Sequence, residues 1–202
     1  MPVWLPAQPL VLASGSAVRR TLLEAAGIPV TVHAADIDER RLEGEASSMP
    51  PAEIAALLAR AKASLVAKSF PGRLVLGADQ ILTLDGKRFA KPADRAAARA
   101  QLRIFAGRTH ELHSAVALVQ DGATLFHHAD TARLTMRSFS DEFLDRYLDL
   151  AGTAATASVG AYQLEGSGIQ LFERIEGDYF TILGLPLLPT LDYLRRHGSL
   201  VT

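Results

Sequence analysis

The chain begins with a short apolar run that changes into a helical pattern within a few residues. Pro9–Ala13 is apolar and leads into the small polar residues Ser14-Gly15-Ser16, which predicts a buried strand followed by a tight loop. From Val18 onward, apolar residues recur at helical spacing as far as Ala26, and Gly27 follows where a glycine would end the helix. The pattern therefore predicts a strand, a loop and a helix in direct succession.

Apolar periodicity predicts further strands and helices along the chain. Pro51 is placed in the first turn of a long helix, whose apolar stripe comprises Ile54, Leu57, Leu58, Ala61 and Leu65. Other helices are predicted over about Asp94 to Phe105, Ser140 to Leu150 and Pro186–Arg196. Strands are predicted over Val30–Ala35, Leu74–Leu84, Ile169–Ile175 and, as a hairpin about Asp121-Gly122, Glu111–Gln120 and Ala123–Met136. This alternation predicts an α/β fold with a mixed β-sheet flanked by helices, in one domain over residues 1–202.

Composition narrows the class of protein. Hydrophobic residues make up 49% and charged residues 21% of the chain, as in ordinary globular enzymes. A formal net charge of -1 provides no overall attraction to nucleic acid polymers or anionic membranes, and no apolar run is long enough for a membrane span. The absence of cysteine excludes disulfides, thiolate metal sites and cysteine nucleophiles. The first residues also lack the features of a signal peptide, so we expect a soluble cytoplasmic protein.

The junction between the first strand and helix is a candidate anion site. Ser14 and Ser16 lie in the loop, where free backbone N–H groups and the helix dipole favour negative charge, and Arg19 and Arg20 follow in the first turn. The alternative is that the serines cap the helix while the arginines form a solvated face. Cations in the first turn oppose the dipole, so their presence favours a bound anion, with phosphate as the first choice.

Three charged positions stand out elsewhere. Asp36, Asp38 and Glu39 follow a strand and could hold a hard cation such as Mg²⁺, or form a solvated loop. Lys62 falls on the apolar stripe of its helix, where it either extends its ammonium to the edge or has an anionic partner. Asp79 interrupts an apolar strand, and a carboxylate there needs a partner, a metal or a cleft, unless the strand end turns towards solvent.

Two further segments could contribute to a binding site. Lys91-Pro92 follows a turn and could supply another cation, although such a pair is common in ordinary loops. The flexible-looking segment Gly160–Gly168 combines an aromatic residue with polar groups, as a loop that reads a nucleobase would, and surface-loop composition explains it almost as well. The pairs His127-His128 and His110/His113 lack a third ligand at a suitable spacing, so we interpret them as strand or surface histidines.

Taken together, these segments resemble the Maf family of nucleotide pyrophosphatases. The match extends over nearly the whole chain, and its strength lies in the order of many short motifs. In chain order they are Leu10–Ser16 with Arg19-Arg20, Asp36–Glu39, Lys62-Ala63, Gly77-Ala78-Asp79, Asp85-Gly86, Lys91-Pro92, Gly107-x-x-His110, Gly160-Ala161-Tyr162 and Gly184-Leu185-Pro186.

The resemblance implies a mixed sheet flanked by helices, a cleft between two lobes and a homodimer. It also implies hydrolysis of a nucleoside triphosphate to a monophosphate and diphosphate with a divalent cation, Mg²⁺ or Mn²⁺. Asp79 would be the proton acceptor and Glu39 would contact the metal, and the alternative that Asp79 is itself a metal ligand stays open. The residues implied around the substrate are Ser14, Ser16, Arg19, Arg20, Lys62, Gln80, Lys91 and Glu165.

The preferred base is less clearly implied. Gln80 and Glu165 are similar to residues of the family members that act on 7-methyl-GTP, whereas Ala17 and Val18 depart from the usual residues of the first motif. Two other functions stay open at this point. A phosphate-monoester hydrolase would release orthophosphate, and a non-catalytic nucleotide-binding regulator of cell division would bind nucleotide without turnover.

Overall fold

The structure, a computed structural model, describes residues 2–202. The strands are β1 (Leu10–Leu12), β2 (Val30–Val32), β3 (Val75–Leu84), β4 (Lys87–Phe89), β5 (Thr109–Gln120), β6 (Ala123–Met136) and β7 (Phe172–Glu176). The helices are α1 (Ala17–Ala25), α2 (Glu39–Glu45), α3 (Pro51–Ala67), α4 (Arg95–Phe105), α5 (Asp141–Ala151), α6 (Ala154–Ala157), α7 (Tyr179–Ile182) and α8 (Leu187–Arg196). Short 3₁₀ turns lie at Val159–Ala161 and Ser167–Leu171.

The strands form one mixed sheet. Within residues 2–202, the order is β2-β1-β3-β5-β6-β7, with β4 paired to β3 as a seventh strand. The short strand β1 pairs in parallel with both β2 and β3, whereas β4 is antiparallel to β3 and β7 is antiparallel to β6. Every residue of β1 is buried and apolar, as expected of a strand covered on both faces. This arrangement confirms the predicted α/β class with a mixed sheet and flanking helices.

The chain divides into two compact units. The first unit comprises the residues up to Gln80 together with Ser114–Asp130 and Gly184–Thr202. The second unit comprises Ile81–His113 and Thr131–Leu183. The prediction of a single domain, and that of a cleft between lobes, stay predictions.

Helix α3 organises the core of the first unit. Pro51 occupies its first turn, as predicted, and a face of mostly small residues packs against β1 and β3. The predicted apolar stripe is wrong at Leu65, which is exposed, whereas Lys62 is buried, in agreement with its predicted place on that stripe. Glycine at position 77 permits this close packing, since a Cβ atom there would lie 2.1 Å from the carbonyl oxygen of Ala59.

The second unit has its own apolar core beneath α4 and α5. Leu102 and Phe105 of α4 pack with Leu144 and Leu148 of α5, and all four side chains are almost fully buried. Asp94 caps α4 and Ser140 caps α5, and each accepts a hydrogen bond from a backbone N–H of the first turn.

Several short elements differ from the sequence-based predictions. Helix α2, strand β4 and helix α7 were not predicted, and strand β2 ends at Val32 rather than Ala35. The last strand begins at Phe172, three residues after the predicted start, because a 3₁₀ turn occupies Ser167–Leu171. The segment Gly160–Gly168, predicted as a loop, overlaps the 3₁₀ turns at Val159–Ala161 and Ser167–Leu171, and α6 precedes it.

Candidate active site

The loop between β1 and α1 carries the predicted anion site at the start of a helix. Ser16 caps α1 by accepting a hydrogen bond from the backbone N–H of Arg19 at 3.4 Å. Ser14 is buried, and its hydroxyl oxygen accepts a hydrogen bond from the backbone N–H of Ser16. Ser16 therefore has the capping role considered as an alternative, while the first turn still presents its N–H groups beside a basic side chain.

The side chain of Arg19 donates hydrogen bonds to three oxygen atoms of the first unit. Its Nε donates to the carbonyl oxygen of Gly184 at 2.8 Å. Its Nη1 donates to the carbonyl oxygen of Ala78 at 2.8 Å and to the hydroxyl oxygen of Ser14 at 3.1 Å. Arg19 thus fixes the start of α1 against β3 at Ala78, the residue that directly precedes Asp79. Arg20 is different, since its side chain is exposed and lies 3.9 Å from Glu24.

Lys62 joins two carboxylates that are far apart in the sequence. Its Nζ lies 2.6 Å from Oδ1 of Asp79 and 2.8 Å from Oε1 of Glu39. The side chains of Lys62 and Asp79 are each 11% exposed, whereas that of Glu39 is 49% exposed. Of the two interpretations of Lys62, an anionic partner rather than an extended ammonium is therefore observed. Asp79 lies in the middle of β3, so the interpretation as a strand end turned towards solvent is wrong.

The electrostatic environment of Asp79 combines opposing effects. Burial raises the pKa of the Asp79 carboxyl, and the positive charges of Lys62 and Arg19 oppose that rise. Glu39 adds to the rise through like-charge repulsion. A buried carboxyl that is held between two cations can stay charged and still keep a higher proton affinity than an exposed one, which suits a group that accepts a proton.

The acidic segment Asp36–Glu39 contributes Glu39 to the cluster of Lys62 and Asp79. Asp38 caps α2 by accepting from the backbone N–H of Arg41 at 3.0 Å, and Asp36 is exposed. Glu39, the first residue of α2, is the one that contacts Lys62. Within residues 2–202, no group of three or more histidine, aspartate or glutamate residues has the arrangement of a metal site.

The remaining predicted substrate residues lie in several places. Gln80 follows Asp79 on β3 and donates from Nε2 to the hydroxyl oxygen of Ser114 at 2.9 Å. Lys91 and Glu165 are exposed residues of the second unit. The structure thus brings Ser14, Ser16, Arg19, Lys62, Asp79 and Glu39 together in the first unit. For Arg20, Gln80, Lys91 and Glu165, contact with substrate stays a prediction.

Sequence reasoning missed the acceptors that hold Arg19. The carbonyl groups of Ala78 and Gly184 carry no side-chain signal, and the contact with Gly184 joins residues that are 165 positions apart. The one available signal was the segment Gly184-Leu185-Pro186, which belongs to the resemblance but suggested no role. Gly184 has a φ of 85°, a left-handed conformation that favours glycine.

Comparison with known proteins identifies the family to which the chain belongs. The sequence model of the family described as Maf-like protein matches residues 9–197. A protein of Rhodopseudomonas palustris (strain ATCC BAA-98 / CGA009) named nucleoside triphosphate pyrophosphatase is 56% identical over 200 residues, 99% of each chain. A protein of Bradyrhizobium diazoefficiens with the same name is 54% identical over 195 residues, 96% of each chain.

Among solved structures, a HAM1 protein from Coxiella burnetii aligns with 63% of this chain and 72% of its own, at 16% identity and a TM-score of 0.41. That structural similarity is too slight to support a conclusion. The family match and the two relatives, in contrast, extend over nearly the whole sequence. The chain therefore belongs to the Maf-like protein family.

Proposed function

We propose that the chain is a nucleoside triphosphate pyrophosphatase, a hydrolase that converts a nucleoside triphosphate to its monophosphate and diphosphate. The observation that carries the proposal is the buried Lys62–Asp79 pair, flanked by Glu39 and by the anchored guanidinium of Arg19. Burying charged groups costs desolvation free energy even when they are paired, so a buried charged cluster marks a candidate functional site. The names of the two relatives support the same reaction.

The arrangement suits attack of water on a phosphate. Cationic side chains and first-turn N–H groups of α1 would bind the triphosphate, as they bind phosphates at other helix starts. In the reaction, the water oxygen bonds to the α phosphorus while the bond from that phosphorus to the bridging oxygen breaks. The proton of the water passes to the Asp79 carboxylate, and diphosphate leaves with the bond electrons. Arg19 and Lys62 offset the charge that develops on the phosphate oxygens.

A divalent cation fits the donor set, although three protein ligands are not grouped together. Mg²⁺ commonly takes only one or two carboxylates and completes its shell with water and substrate phosphates. The carboxylates of Glu39 and Asp79 both contact the ammonium of Lys62, so they belong to one cluster of charged groups. We propose that these two residues hold Mg²⁺ or Mn²⁺, which would supply charge neutralisation for the phosphate oxygens.

A panel of nucleoside triphosphates tests the reaction. We expect release of diphosphate and the matching monophosphate in the presence of Mg²⁺ or Mn²⁺, including from modified nucleotides such as 7-methyl-GTP. Orthophosphate as the only product would favour a phosphate-monoester hydrolase instead. Binding of nucleotide without any product would favour a non-catalytic regulator, and either result would overturn the proposal.

The setting of the enzyme is proposed along with its reaction. No helix within residues 2–202 is long and apolar enough to cross a membrane. We propose that the enzyme acts in the cytoplasm as a homodimer, with a nucleotide as its partner rather than a nucleic acid polymer. Light scattering coupled to size exclusion tests the dimer, and a monomeric mass at micromolar concentration would contradict it.

A further inference from the structure

The outward side of helix α3 takes no part in the proposed reaction. The buried side chains of this helix lie on its inner side, towards the sheet. On the other side, Glu53 and Arg60 are exposed, and Ala56 and Leu57 between them are half-buried. Because side chains three, four and seven positions apart share one face of a helix, these four residues form one surface stripe. We call this stripe the outer face of α3.

An apolar groove runs along the outer face of α3. Its volume is about 370 Å³, and its walls include the outer face, the preceding Met49 and His127–Ala129 of β6. Met49, Ala52 and Leu57 contribute apolar surface to the groove. All of these residues belong to the first unit. An apolar groove bordered by charged residues on the surface of a protein marks an interaction site.

Glu53 and Arg60 differ from other exposed charges on the helices of this protein. Exposed charges on α1, α2, α5 and α8 pair with an opposite charge four positions away on the same helix. Glu53 and Arg60 are separated by two helical turns instead of one, which is about 10 Å along the helix axis. Within residues 2–202, neither side chain has an ion pair or a hydrogen bond. Both charges are therefore available to a partner outside the chain.

The outer face of α3 is complementary to itself. Glu53 and Arg60 are equally far from the middle of the stripe, which falls between Ala56 and Leu57. When two copies of α3 lie antiparallel about a two-fold axis at that level, Glu53 of each copy faces Arg60 of the other copy. The two Leu57 side chains then meet across the axis, and the half-buried alanine beside each of them allows the two helices to approach closely.

A second copy of the chain fits this surface better than other occupants do. A ligand or peptide with charge of one sign would be attracted by Glu53 or by Arg60 and repelled by the other. A second copy presents the opposite charge to each of them. It also covers the apolar groove along Met49 and Leu57 with an identical apolar surface, which removes both from water.

We propose that two copies of this chain associate through the outer face of α3, with reciprocal ion pairs between Glu53 and Arg60 on either side of Leu57. This inference rests on the homodimer of the proposed function and names the surface that forms it. The surface is isologous, so each Glu53–Arg60 contact occurs twice in the dimer. Every change at one of these residues therefore acts twice on the free energy of association.

Charge reversal tests the pairing. Glu53→Arg and Arg60→Glu each replace two attractive contacts across the axis by two repulsive ones. The double variant Glu53→Arg/Arg60→Glu restores opposite charges in exchanged order, so a contact between copies predicts that it associates again. Glu142→Arg and Arg146→Glu are the controls, because they reverse exposed charges of α5. Glu142 lies in the first turn of its helix, as Glu53 does, so the control matches the effect of the helix dipole.

Sedimentation equilibrium measures the dissociation constant Kd of the dimer. At low ionic strength we expect each single reversal on α3 to raise Kd at least about tenfold, and the double variant to return to within about threefold of wild type. The two α5 variants should stay within about twofold of wild type. In 1 M NaCl we expect the difference between the single variants and wild type to shrink, because salt screens the charges.

The outcomes separate this inference from the proposed reaction. A wild-type protein that stays monomeric at micromolar concentration would overturn both the homodimer and the α3 surface, whatever its activity. A dimer whose Kd is unchanged in Glu53→Arg and Arg60→Glu, or that the double variant fails to restore, would overturn the α3 surface alone. Diphosphate release is measured separately on the wild type, and its absence would overturn the proposed reaction while the Kd values still decide the interface.

Discussion

Two buried polar pairs, one in each unit, differ in their charge state. In the first unit, a lysine and an aspartate form an almost fully buried ion pair, Lys62 and Asp79, next to a guanidinium. In the second unit, His110 and Tyr162 form a buried polar pair that is neutral at pH 7. The second unit keeps its ion pairs between α4 and α5 on the surface, where Arg99 contacts Asp145 at 2.6 Å.

Under the proposed function, this difference separates charges that take part in the reaction from charges that only interact with solvent at the surface. Surface pairs gain little stability because water and salt screen them, and they need no precise environment. Burying charges costs desolvation free energy, and a bound ligand of opposite charge can offset that cost. In our proposal, the charged groups of the first unit therefore take part in the reaction, and the neutral pair of the second unit has a structural role. The predictions below test this contrast from the largest expected effect to the smallest.

The first prediction removes the buried carboxylate. Asp79→Asn keeps the volume of the side chain but cannot accept a proton from water, so we expect kcat to fall by about 10²–10⁴-fold. Asp145→Asn makes the same change in the surface network of the second unit and should leave kcat within about twofold. Initial rates of diphosphate release measure both. Wild-type turnover by Asp79→Asn, with nucleotide and metal still bound, would remove Asp79 from the mechanism.

The second prediction concerns the neutral pair at low pH. His110 has a pKa of about 4 in the folded state, against 6.5 for an unperturbed histidine, so the unfolded chain binds more protons between these values. The stability from the neutral ring is complete above pH 6.5 and is lost as the pH falls towards 4. Between pH 7 and pH 4.5 we expect His110 to lower the free energy of unfolding by about 2–3 kcal/mol. The variant His110→Gln should not show this loss.

Urea unfolding of wild type and His110→Gln at pH 7 and 4.5 measures this difference. Both proteins share the titration of their carboxylates, so the difference between them isolates the histidine. An equal free energy gap at the two pH values would show that His110 is not buried in the neutral state. Such a result would remove the contrast between the two units.

The third prediction replaces the guanidinium of Arg19 by the ammonium of lysine, which keeps the positive charge. Arg19→Lys retains the positive charge but cannot reproduce the hydrogen bonds from Nε and Nη1 to the carbonyls of Gly184 and Ala78. We expect kcat/KM to fall about tenfold, because the start of α1 loses its fixed position beside β3. Arg99→Lys in the surface network should change kcat/KM by less than about twofold. Equal effects of the two variants would contradict an anchoring role for Arg19.

The smallest effect is expected from the surface network itself. Arg95, Arg99 and Arg103 of α4 face Asp149, Asp145 and Asp141 of α5 in exposed ion pairs. We expect Asp145→Asn to lower Tm by about 2 °C or less at low ionic strength, and this difference to vanish in 1 M NaCl because salt screens exposed charges. Thermal scans at both ionic strengths measure it. A large shift that resists salt would mean that this network is not merely superficial.

Much of the fold was predictable because its signals are local. The helix beginning near Pro51, the cap of α5 at Ser140 and the hairpin about Asp121-Gly122 follow from caps, turns and periodicity within a few residues. Elements without such signals were missed. Helix α2 has no buried residue and therefore no apolar stripe, and β4 has only three residues.

The candidate site was predictable to the extent that its residues violate local patterns. Asp79 stood out as a carboxylate within an apolar strand, and Lys62 as a cation on an apolar helix face. Their partnership did not follow from either pattern, since any of several carboxylates could have met Lys62. Leu65 was misassigned because periodicity treats leucine as the strongest core residue, whereas α3 packs through small alanines under Gly77.

By itself, the sequence determined the α/β class, the strand, loop and helix at the anion site, and the identity of the unusual charges, because these depend on spacing along the chain. Only the tertiary structure decided that Lys62 lies between Asp79 and Glu39, that Arg19 is held by Gly184, and that Tyr162 turns inwards onto His110. Contacts between distant residues depend on how strands and helices pack. The sequence contains several chemically equivalent partners for each such residue, and packing decides which of them it meets.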